Sequence, residues 1–307
     1  MKTGQALSAS FRDPSGFMYR REGVLYRQVN LPYQAHYDKL MQSGLYERLT
    51  KARMLVPHEE VTLEPELPEL HYRTLRPQPI PVISYPYEWS FSQLKDAALL
   101  TLEIQKKAVE TGMTLKDASA YNIQFIGCRP VLIDTLSFEI YTEGEPWVAY
   151  RQFCQHFLAP LALMALRDVR LNGLLRNYID GIPLDLASEL LPWQTRMNFG
   201  LGLHIHTHAK AQKRYAGQGI RPSEVSNRKV TRMAFLGMID SLETSVRKLE
   251  WKPEGTEWAD YYDITNYSQD AFQQKKDLVR SFLEQVQPAV VWDLGANTGE
   301  FSQIAVE

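Results

Sequence analysis

The chain has 307 residues and a nearly balanced charge, with 34 basic and 36 acidic residues, and 44% of its residues are hydrophobic. This composition is typical of a soluble globular protein long enough for two domains, and the net charge of −2 gives no electrostatic reason to expect nucleic acid or an anionic membrane as a partner. Its two cysteines match no metal or redox spacing, and no apolar run has the length of a signal core or a membrane span, so the sequence favours a cytoplasmic protein.

The N-terminal part of the chain is predicted to hold a hairpin, a helix and an extended segment. Between residues 16 and 30, two runs rich in Tyr, Val and Met flank Glu22-Gly23, which is the pattern of a β-hairpin. Apolar residues then recur at three- and four-residue spacing from Tyr37 to Leu49, which predicts a helix. Residues 56–92 are dense in proline, and we expect them to be extended.

Further elements follow in the central and C-terminal parts of the chain. Residues 92–111 have helical periodicity and stop at Gly112, and two short strands are predicted at 122–126 and 131–134 around a turn. The chain is then mainly helical to about residue 215, and the polar stretch 216–230 is the predicted linker. Two more helices, at 231–250 and 270–286, precede a closing apolar run.

Three polar residues in the central loops have the types that phosphoryl transfer requires. Asp117 is followed five residues later by Asn122, and the predicted hairpin returns Asp134 at the end of an apolar run. One carboxylate near the acceptor hydroxyl, together with an amide and a second carboxylate for magnesium, would be enough for such chemistry.

This arrangement resembles the catalytic loop and metal-binding segment of the protein-kinase-like fold, and the order of elements from about residue 12 to 215 is similar as well. The resemblance implies that Asp117 is the catalytic base, that Asn122 and Asp134 are magnesium ligands, and that Mg-ATP is a candidate cofactor. The stretch "PVISYPYEWS" resembles the hinge of that fold.

The sequence also departs from the kinase pattern. Leu115-Lys116 precedes Asp117 where protein kinases usually have His-Arg, and Thr135-Leu136 follows Asp134 where they have Phe-Gly. No glycine-rich G-x-G-x-x-G loop lies near the N-terminus, and Arg27 stands where an ATP-binding lysine is usual. A role for Arg27 in nucleotide binding, paired with Glu47, is therefore a hypothesis that the sequence raises.

The last residues of the chain carry a second motif. The apolar run "AVVWD" ends in Asp293 and predicts a central parallel strand, and Gly295, Asn297 and Gly299 follow in a turn before a helix. The pattern resembles the first motif of class I S-adenosylmethionine-dependent methyltransferases. That resemblance implies that these four residues would line the methionine end of the cofactor.

The predicted fold class is α+β, with a two-lobed protein-kinase-like domain at 1–215, a helical linker at 216–255 and, at 256–307, the first strand-turn-helix of a truncated, Rossmann-like α/β methyltransferase domain. We expect the chain to be the N-terminal part of a methyltransferase-family protein whose kinase-like domain positions a small-molecule or protein substrate. An active small-molecule or protein kinase that uses Mg-ATP, and a pseudokinase-like binding module without catalysis, are the alternatives. The sequence leaves the acceptor and the oligomeric state open.

Overall fold

The computed structural model describes residues 5–6 (backbone only), 13–209, 229–252 and 267–307 of the chain. The chain divides into two compact units, Met1–Trp251 and Lys252–Glu307, which are taken separately below. The first unit combines a small antiparallel sheet with many helices, which confirms the predicted α+β class. The predicted linker at 216–255 lies partly outside the described residues, so the predicted division of the chain stays a prediction. Within the described ranges, no helix has both the length and the apolar composition needed to cross a membrane.

A five-stranded sheet begins the first unit, and the predicted hairpin lies at its centre. Its strands are β1 (Gln5–Ala6), β2 (Gly16–Arg21), β3 (Val24–Asn30), β4 (His58–Glu60) and β5 (His71–Pro77). They pair antiparallel in the order β1-β2-β3-β5-β4. Glu22 and Gly23 join β2 to β3 with φ of 52° and 82°, and two-residue hairpin turns that match strand twist require positive φ at such positions. The predicted hairpin is confirmed.

Two helices follow the hairpin where the periodicity predicted one. They are α1 (Gln34–Gln42) and α2 (Leu45–Lys51). Gly44 separates them with φ of 75°, a left-handed conformation that interrupts the helical path and that glycine adopts without a steric penalty. The prediction of one continuous helix is therefore wrong, although the apolar residues Leu40 and Leu49 are buried as the pattern indicated.

The long helix α3 spans Phe91–Glu110, close to the predicted bounds. The Ser90 hydroxyl accepts a hydrogen bond of 3.3 Å from the backbone N–H of Gln93, and the Gln93 side chain accepts one of 3.0 Å from the backbone N–H of Ser90. This reciprocal pair satisfies two donors that the first turn of a helix leaves unpaired. At the other end, Gly112 has φ of 76° just beyond the helix, as expected for a glycine stop.

Two short strand pairs follow α3 and carry the loops of interest. Strand β6 (Met113–Leu115) pairs with β9 (Phe138–Ile140), and β7 (Ile123–Ile126) pairs with β8 (Arg129–Leu132), both antiparallel. The two strands that the sequence predicted here are thus confirmed, with bounds shifted by one or two residues. Their turn contains Gly127 at φ of 61°.

Helices and the turns between them form most of the remaining described residues of the first unit, within 150–209 and 229–251. They are α4 (Tyr150–Phe153), α5 (Ala159–Leu166), α6 (Leu174–Asn177), α7 (Leu184–Leu190), α8 (Phe199–Leu201) and α9 (Arg232–Lys248), with π-helical turns at Cys154–Leu158 and Gly202–Thr207. Helix α9, predicted at 231–250, packs along α3. There, the Lys106 ammonium lies 2.5 Å from carboxylate oxygens of both Asp240 and Glu243.

The second unit contains the helices α10 (Gln269–Val286) and α11 (Glu300–Val306). The predicted helix at 270–286 is confirmed. The strand predicted to end in Asp293 is wrong for this structure, because residues 288–299 have no strand conformation. A strand needs a neighbour for its backbone hydrogen bonds and cover for its faces, whereas the side chains of Val290 and Leu294 here are 67% and 87% exposed.

Candidate functional site

The hairpin of β7 and β8 brings Asn122 and Asp134 to the same end of a strand pair. Asn122 directly precedes β7, and Asp134 lies two residues beyond β8. The backbone N–H of Ile133 donates a hydrogen bond of 2.8 Å to the carbonyl oxygen of Asn122, which holds the two chain segments together at this point. The hairpin thus places an amide and a carboxylate side by side, as the sequence pattern predicted.

One hydroxyl joins these two side chains. Asn122 Nδ2 donates a hydrogen bond of 3.3 Å to Ser137 Oγ, and Ser137 Oγ donates one of 2.9 Å to Asp134 Oδ2. The other carboxylate oxygen, Asp134 Oδ1, accepts a hydrogen bond of 2.9 Å from the backbone N–H of Leu136. Asp134 therefore also caps the turn that follows it, and Ser137 is a residue of the site that the sequence reasoning missed.

Asp117 lies in the neighbouring loop that follows β6. Its Oδ1 accepts a hydrogen bond of 2.9 Å from the backbone N–H of Ser119, which fixes the carboxylate in a local turn. The residue before it, Lys116, donates its backbone N–H to the carbonyl oxygen of Ser137 over 2.8 Å. The loop of Asp117 and the turn of Asp134 are thus adjacent through the backbone of Ser137. The assigned role of Asp117 as a base stays a prediction.

Arg27 reaches this site from strand β3. Its Nη1 donates to Asp134 Oδ1 in an ion pair whose side chains are only 14% and 16% exposed. The partner suggested for Arg27 from the sequence was wrong: Glu47 pairs with Lys51, one turn along the exposed face of helix α2, at 2.6 Å. A guanidinium therefore contacts the carboxylate that was predicted to hold magnesium.

Three further polar residues surround the ion pair, and the sequence reasoning did not select them as site residues. Asp13 lies 3.8 Å from Arg27 Nη2 and 3.7 Å from Lys116 Nζ, and Lys116 Nζ donates a hydrogen bond of 2.6 Å to Ser15 Oγ. The stretch "DPSG" ahead of the first hairpin strand was the available signal, because Asp-Pro-Ser-Gly is a strong turn sequence. It lies in the connection that leads from β1 into β2.

Gly16 explains how that turn lies so close to β3. A Cβ atom at this position would stand 2.2 Å from the carbonyl oxygen of Gln28 and 2.9 Å from a methyl carbon of Leu136. The turn is also tied to the end of β3, since the backbone N–H of Asn30 donates to the carbonyl oxygen of Ser15 over 2.8 Å and Asn30 Nδ2 donates to that of Pro14 over 3.1 Å. Only a residue without a side chain allows this approach.

A largely apolar cleft of about 790 Å³ opens beside the sheet in the first unit. It is lined by the hairpin turn, by the end of β5 and by the residues after it, including Gly23, Val24, Pro79, Ile80 and Ile83; Ile133 also lines it. Ile133 immediately precedes Asp134 in the chain. Ile83 belongs to the stretch that was predicted to resemble a hinge.

His58 lines the same cleft and is held neutral near pH 7. Burial lowers the pKa of its imidazole to about 4; the charge of Arg27 lowers it further, while that of Glu60 opposes the shift. One ring nitrogen lies 3.0 Å from the Tyr37 hydroxyl and the other 3.4 Å from that of Thr135. The imidazole is therefore held in a fixed position by its two partners and forms part of the lining of the cleft.

A charged cluster is formed by Arg27, Asp134, Asp13 and Lys116. The arrangement of its side chains does not fit a magnesium ion. Both oxygens of Asp134 already accept hydrogen bonds, from Arg27, Leu136 and Ser137. In the part of the chain that the structure describes, no group of three or more His, Cys, Asp or Glu side chains is arranged to hold a metal. Arg27 competes with a metal ion for the negative charge of Asp134, and the ligand roles of Asn122 and Asp134 remain predictions.

The histidines of "LHIHTH" have structural partners in the helical part of the first unit. His204 is fully buried, and its two ring nitrogens lie 2.7 Å from the Tyr150 hydroxyl and 2.9 Å from the Ser241 hydroxyl. His206 is likewise bonded on both sides, to Ser188 at 2.7 Å and to Thr195 at 2.8 Å. These hydrogen bonds account for the burial of both histidines, so no bound ligand is needed to explain it.

In the second unit, the glycine-rich turn has the backbone conformation that its sequence suggests. Gly295, Asn297 and Gly299 all have positive φ, at 79°, 50° and 81°. Ser302 donates its hydroxyl to Asp293 Oδ2 over 2.6 Å, which connects the start of the motif to helix α11. Asp293, Gly295 and Asn297 are exposed, so the described residues of this unit do not enclose a cofactor.

Comparison with known proteins gives one curated relative of useful similarity. No protein-family model matches the chain. The chain is 32% identical over 307 residues to nodulation protein NoeA of Rhizobium meliloti (strain 1021), with 98% of this chain but only 64% of that protein covered. A solved structure of vaccinia related kinase 3 aligns with 82% of this chain and 93% of its own, at 13% identity and a TM-score of 0.35. That score is too low to establish a shared fold.

Proposed function

We propose that the protein belongs to the S-adenosylmethionine-dependent methyltransferases and that its first unit is a kinase-like domain that positions a substrate or partner. The observation that carries the positioning role is the ion pair of Asp134 with Arg27, which neutralises the carboxylate that was predicted to hold magnesium. A carboxylate neutralised by a guanidinium attracts a metal ion less strongly, and phosphoryl transfer depends on such a metal.

The kinase-like part of the proposal rests on the geometry of the first unit. A basic residue of the central sheet strand, Arg27, faces the carboxylate returned by a hairpin, and a loop with Asp117 and Asn122 lies next to it. The apolar cleft beside the sheet is lined in part by Ile133, the residue before that carboxylate. A cleft of this size can bury most of a small molecule or an extended peptide segment.

The methyltransferase part rests on the C-terminal motif. Bound S-adenosylmethionine would supply an electrophilic methyl group, and by resemblance Asp293 and the turn from Gly295 to Gly299 would orient its methionine end. The positive φ values of this turn support that role, because they let backbone approach a ligand closely. The exposed apolar run before it is what a central strand presents when nothing covers it. The matched relative is longer than this chain, which covers 64% of it.

The test of methyl transfer uses the product of the complete reading frame, photolabelled with tritiated S-adenosylmethionine. We expect labelling of the wild type and its loss in Asp293→Ala, because the carboxylate would no longer orient the cofactor. Asp270→Ala, which removes an exposed acid of helix α10, is the matched control and should keep the label. Equal labelling of Asp293→Ala and wild type, or no label in any of them, would exclude the assignment.

Phosphoryl transfer is the second candidate, and the linkage of Asn122 to Asp134 through Ser137 is the observation in its favour. Thermal-shift measurements with ATP, with and without magnesium, distinguish phosphoryl transfer from the positioning role. They compare wild type, Asp117→Asn and Asp134→Asn. A kinase site predicts a magnesium-dependent shift that Asp134→Asn weakens and Asp117→Asn spares. The positioning role predicts at most a weak shift and no radiolabel transferred from ATP.

A further inference from the structure

A pocket of about 290 Å³ lies on the first unit, beside the end of helix α2 and the hairpin of β7 and β8. Much of its lining is apolar, with Leu55 and Val131 almost fully buried and Ile126 43% exposed. Arg53 and Arg129 line it as well, and no acidic residue does among those that the structure describes. The pocket therefore offers a hydrophobic surface next to two positive charges.

The pairing of the backbone brings the two arginines to the same place. The segment after α2 runs parallel to β8: the N–H of Val56 donates to the carbonyl oxygen of Leu132 over 2.9 Å, and the N–H of Leu132 donates to that of Met54 over 2.9 Å. Arg53 directly precedes this segment, and Arg129 begins β8, so both side chains start from the same end of the paired backbone. The fold thus brings two like charges together, which is unfavourable until an anion offsets them.

Neither arginine has an ionic partner. Within the described ranges, the side chains of Arg53 and Arg129 form no ion pair and no hydrogen bond, and the side-chain amide of Gln78 in the same pocket forms none either. All three side chains are exposed and hence accessible to a ligand. A guanidinium presents its N–H donors as a fork that matches the two oxygens of a carboxylate. Two such forks at one pocket are suited to a carboxylate ligand.

Arg53 also has a backbone conformation that arginine rarely adopts. It follows α2 with φ of 58°. Its N–H donates to the carbonyl oxygen of Thr50 over 3.0 Å, and the N–H of Met54 donates to that of Leu49 over 2.9 Å. These two bonds form a Schellman motif, in which glycine is usual at the position of Arg53. A side chain there costs free energy that glycine avoids, so the ending of the helix does not by itself explain an arginine at this position.

A longer groove of about 630 Å³ is lined by the same two arginines and by helices α3 and α9. Because Arg53 and Arg129 line both cavities, the groove adjoins the pocket. Of the acids in the groove, Glu103 and Glu243 pair with lysines of α3, whereas Asp96 is exposed and forms no ion pair with any described residue. A small pocket that opens into a groove of mixed charge fits an extended peptide better than a small molecule.

We propose that this surface docks an acidic peptide segment of a partner protein. A carboxylate of the segment pairs with Arg53 and Arg129, and a neighbouring aliphatic side chain packs on Ile126 in the pocket. Asp96 in the groove favours a basic residue further along the segment. The surface adjoins the apolar cleft, with which the pocket shares Val56, Pro57 and Gln78. The inference builds on the proposed positioning role, since it gives the chemistry of a partner, and it does not depend on methyl transfer.

The experiment selects a peptide with the protein itself. The immobilised 307-residue chain is presented with a phage library of random dodecapeptides, and we expect the selected sequences to combine Asp or Glu with a neighbouring aliphatic residue. The best sequence is then synthesised with a fluorescein label and titrated by fluorescence anisotropy. Arg53→Gln and Arg129→Gln should each weaken its binding about tenfold, because each removes a charge-assisted hydrogen-bonding partner. Arg196→Gln removes an exposed arginine outside both cavities and, as the matched control, should bind like wild type.

Arg53→Gly separates docking from a role in stability. Glycine adopts a φ of 58° without a steric penalty, so this variant should melt at or above the temperature of wild type. It should nevertheless bind the selected peptide about tenfold more weakly. Replacing the acid of the peptide by its amide should weaken binding to wild type to a similar extent and have little further effect on the Arg53 and Arg129 variants, because the two changes remove the same interaction.

The inference would be overturned by selected peptides that lack an acidic residue, by equal affinity of wild type and the arginine variants, or by a folded chain that selects no peptide. Hexanoate and glutarate, titrated by calorimetry, test a small organic acid as the occupant. Arginine-dependent binding of either acid by a chain that selects no peptide would assign the pocket to such a ligand and would also overturn the inference. No arm contains S-adenosylmethionine or ATP, so each of these results leaves the methyltransferase assignment untouched.

Discussion

Arg27 and Asp134 form an ion pair across 107 positions of the chain, and both side chains are largely buried. Arg27 belongs to the central sheet and Asp134 to the turn after the hairpin of β7 and β8, so the pair joins the sheet to the loops that follow α3. Its removal should therefore affect both the stability of the first unit and the state of the candidate site.

A double-mutant cycle of Arg27→Gln and Asp134→Asn tests the pair. Each single substitution leaves a partly buried charge without its partner and should lower the free energy of unfolding by about 2–3 kcal/mol. The double variant should recover about 1 kcal/mol or more relative to the sum. The exposed pair Arg48–Glu110 is the control and should give a coupling within about 0.5 kcal/mol. Urea denaturation measures the free energy of unfolding of wild type, of each single variant and of the double variant. Additive effects of the two single substitutions would contradict an energetic coupling between Arg27 and Asp134.

Gly16→Ala should destabilise the first unit by about 1–3 kcal/mol, since the new methyl group would overlap the carbonyl oxygen of Gln28. Gly237→Ala, in the exposed face of helix α9, meets no atom within 4 Å and should stabilise by about 0.5–1 kcal/mol. Differential scanning calorimetry compares the two. A neutral Gly16→Ala would mean that the turn of Asp13 does not need its close approach to β3.

Acid should weaken the first unit between pH 6.5 and about 4. Burial lowers the pKa of His58, His156 and His204 to about 4, so these imidazoles are neutral in the folded chain while the unfolded chain takes up protons. Their contribution is complete above the unfolded pKa of about 6.5 and is lost as the pH falls through the window. Urea midpoints across this range measure it. His204→Asn should flatten the dependence; an unchanged profile would argue against a buried neutral imidazole.

The 307-residue chain should not bind S-adenosylmethionine with useful affinity. Asp293 and the turn residues Gly295, Asn297 and Gly299 would contact only the methionine end, and the first three of them are exposed. Ribose and adenine contacts come from later strands in the fold that the motif resembles. Calorimetry is the measurement, and saturable micromolar binding by this chain would contradict the expectation.

The sequence by itself determined the elements whose cause is local. Glu22-Gly23 selects a hairpin turn because both positions need positive φ, and Ser90 with Gln93 marks the start of α3 because the cap lies within one turn. The pairing of Asn122 with Asp134 was also predictable, since a short hairpin separates them. Turn chemistry and periodicity act over a few residues and can be read without the fold.

Only the tertiary structure decided which groups surround these residues. The spacing of Asp117, Asn122 and Asp134 contains nothing that would reveal Arg27 on Asp134 or Asp13 beside Lys116, because such ion pairs join segments about a hundred residues apart. The wrong prediction of a strand before Asp293 has the same cause, namely that the deciding contacts come from other parts of the structure. An apolar run becomes a strand only when neighbouring strands supply hydrogen bonds and cover, and those are properties of the assembled sheet rather than of the run itself.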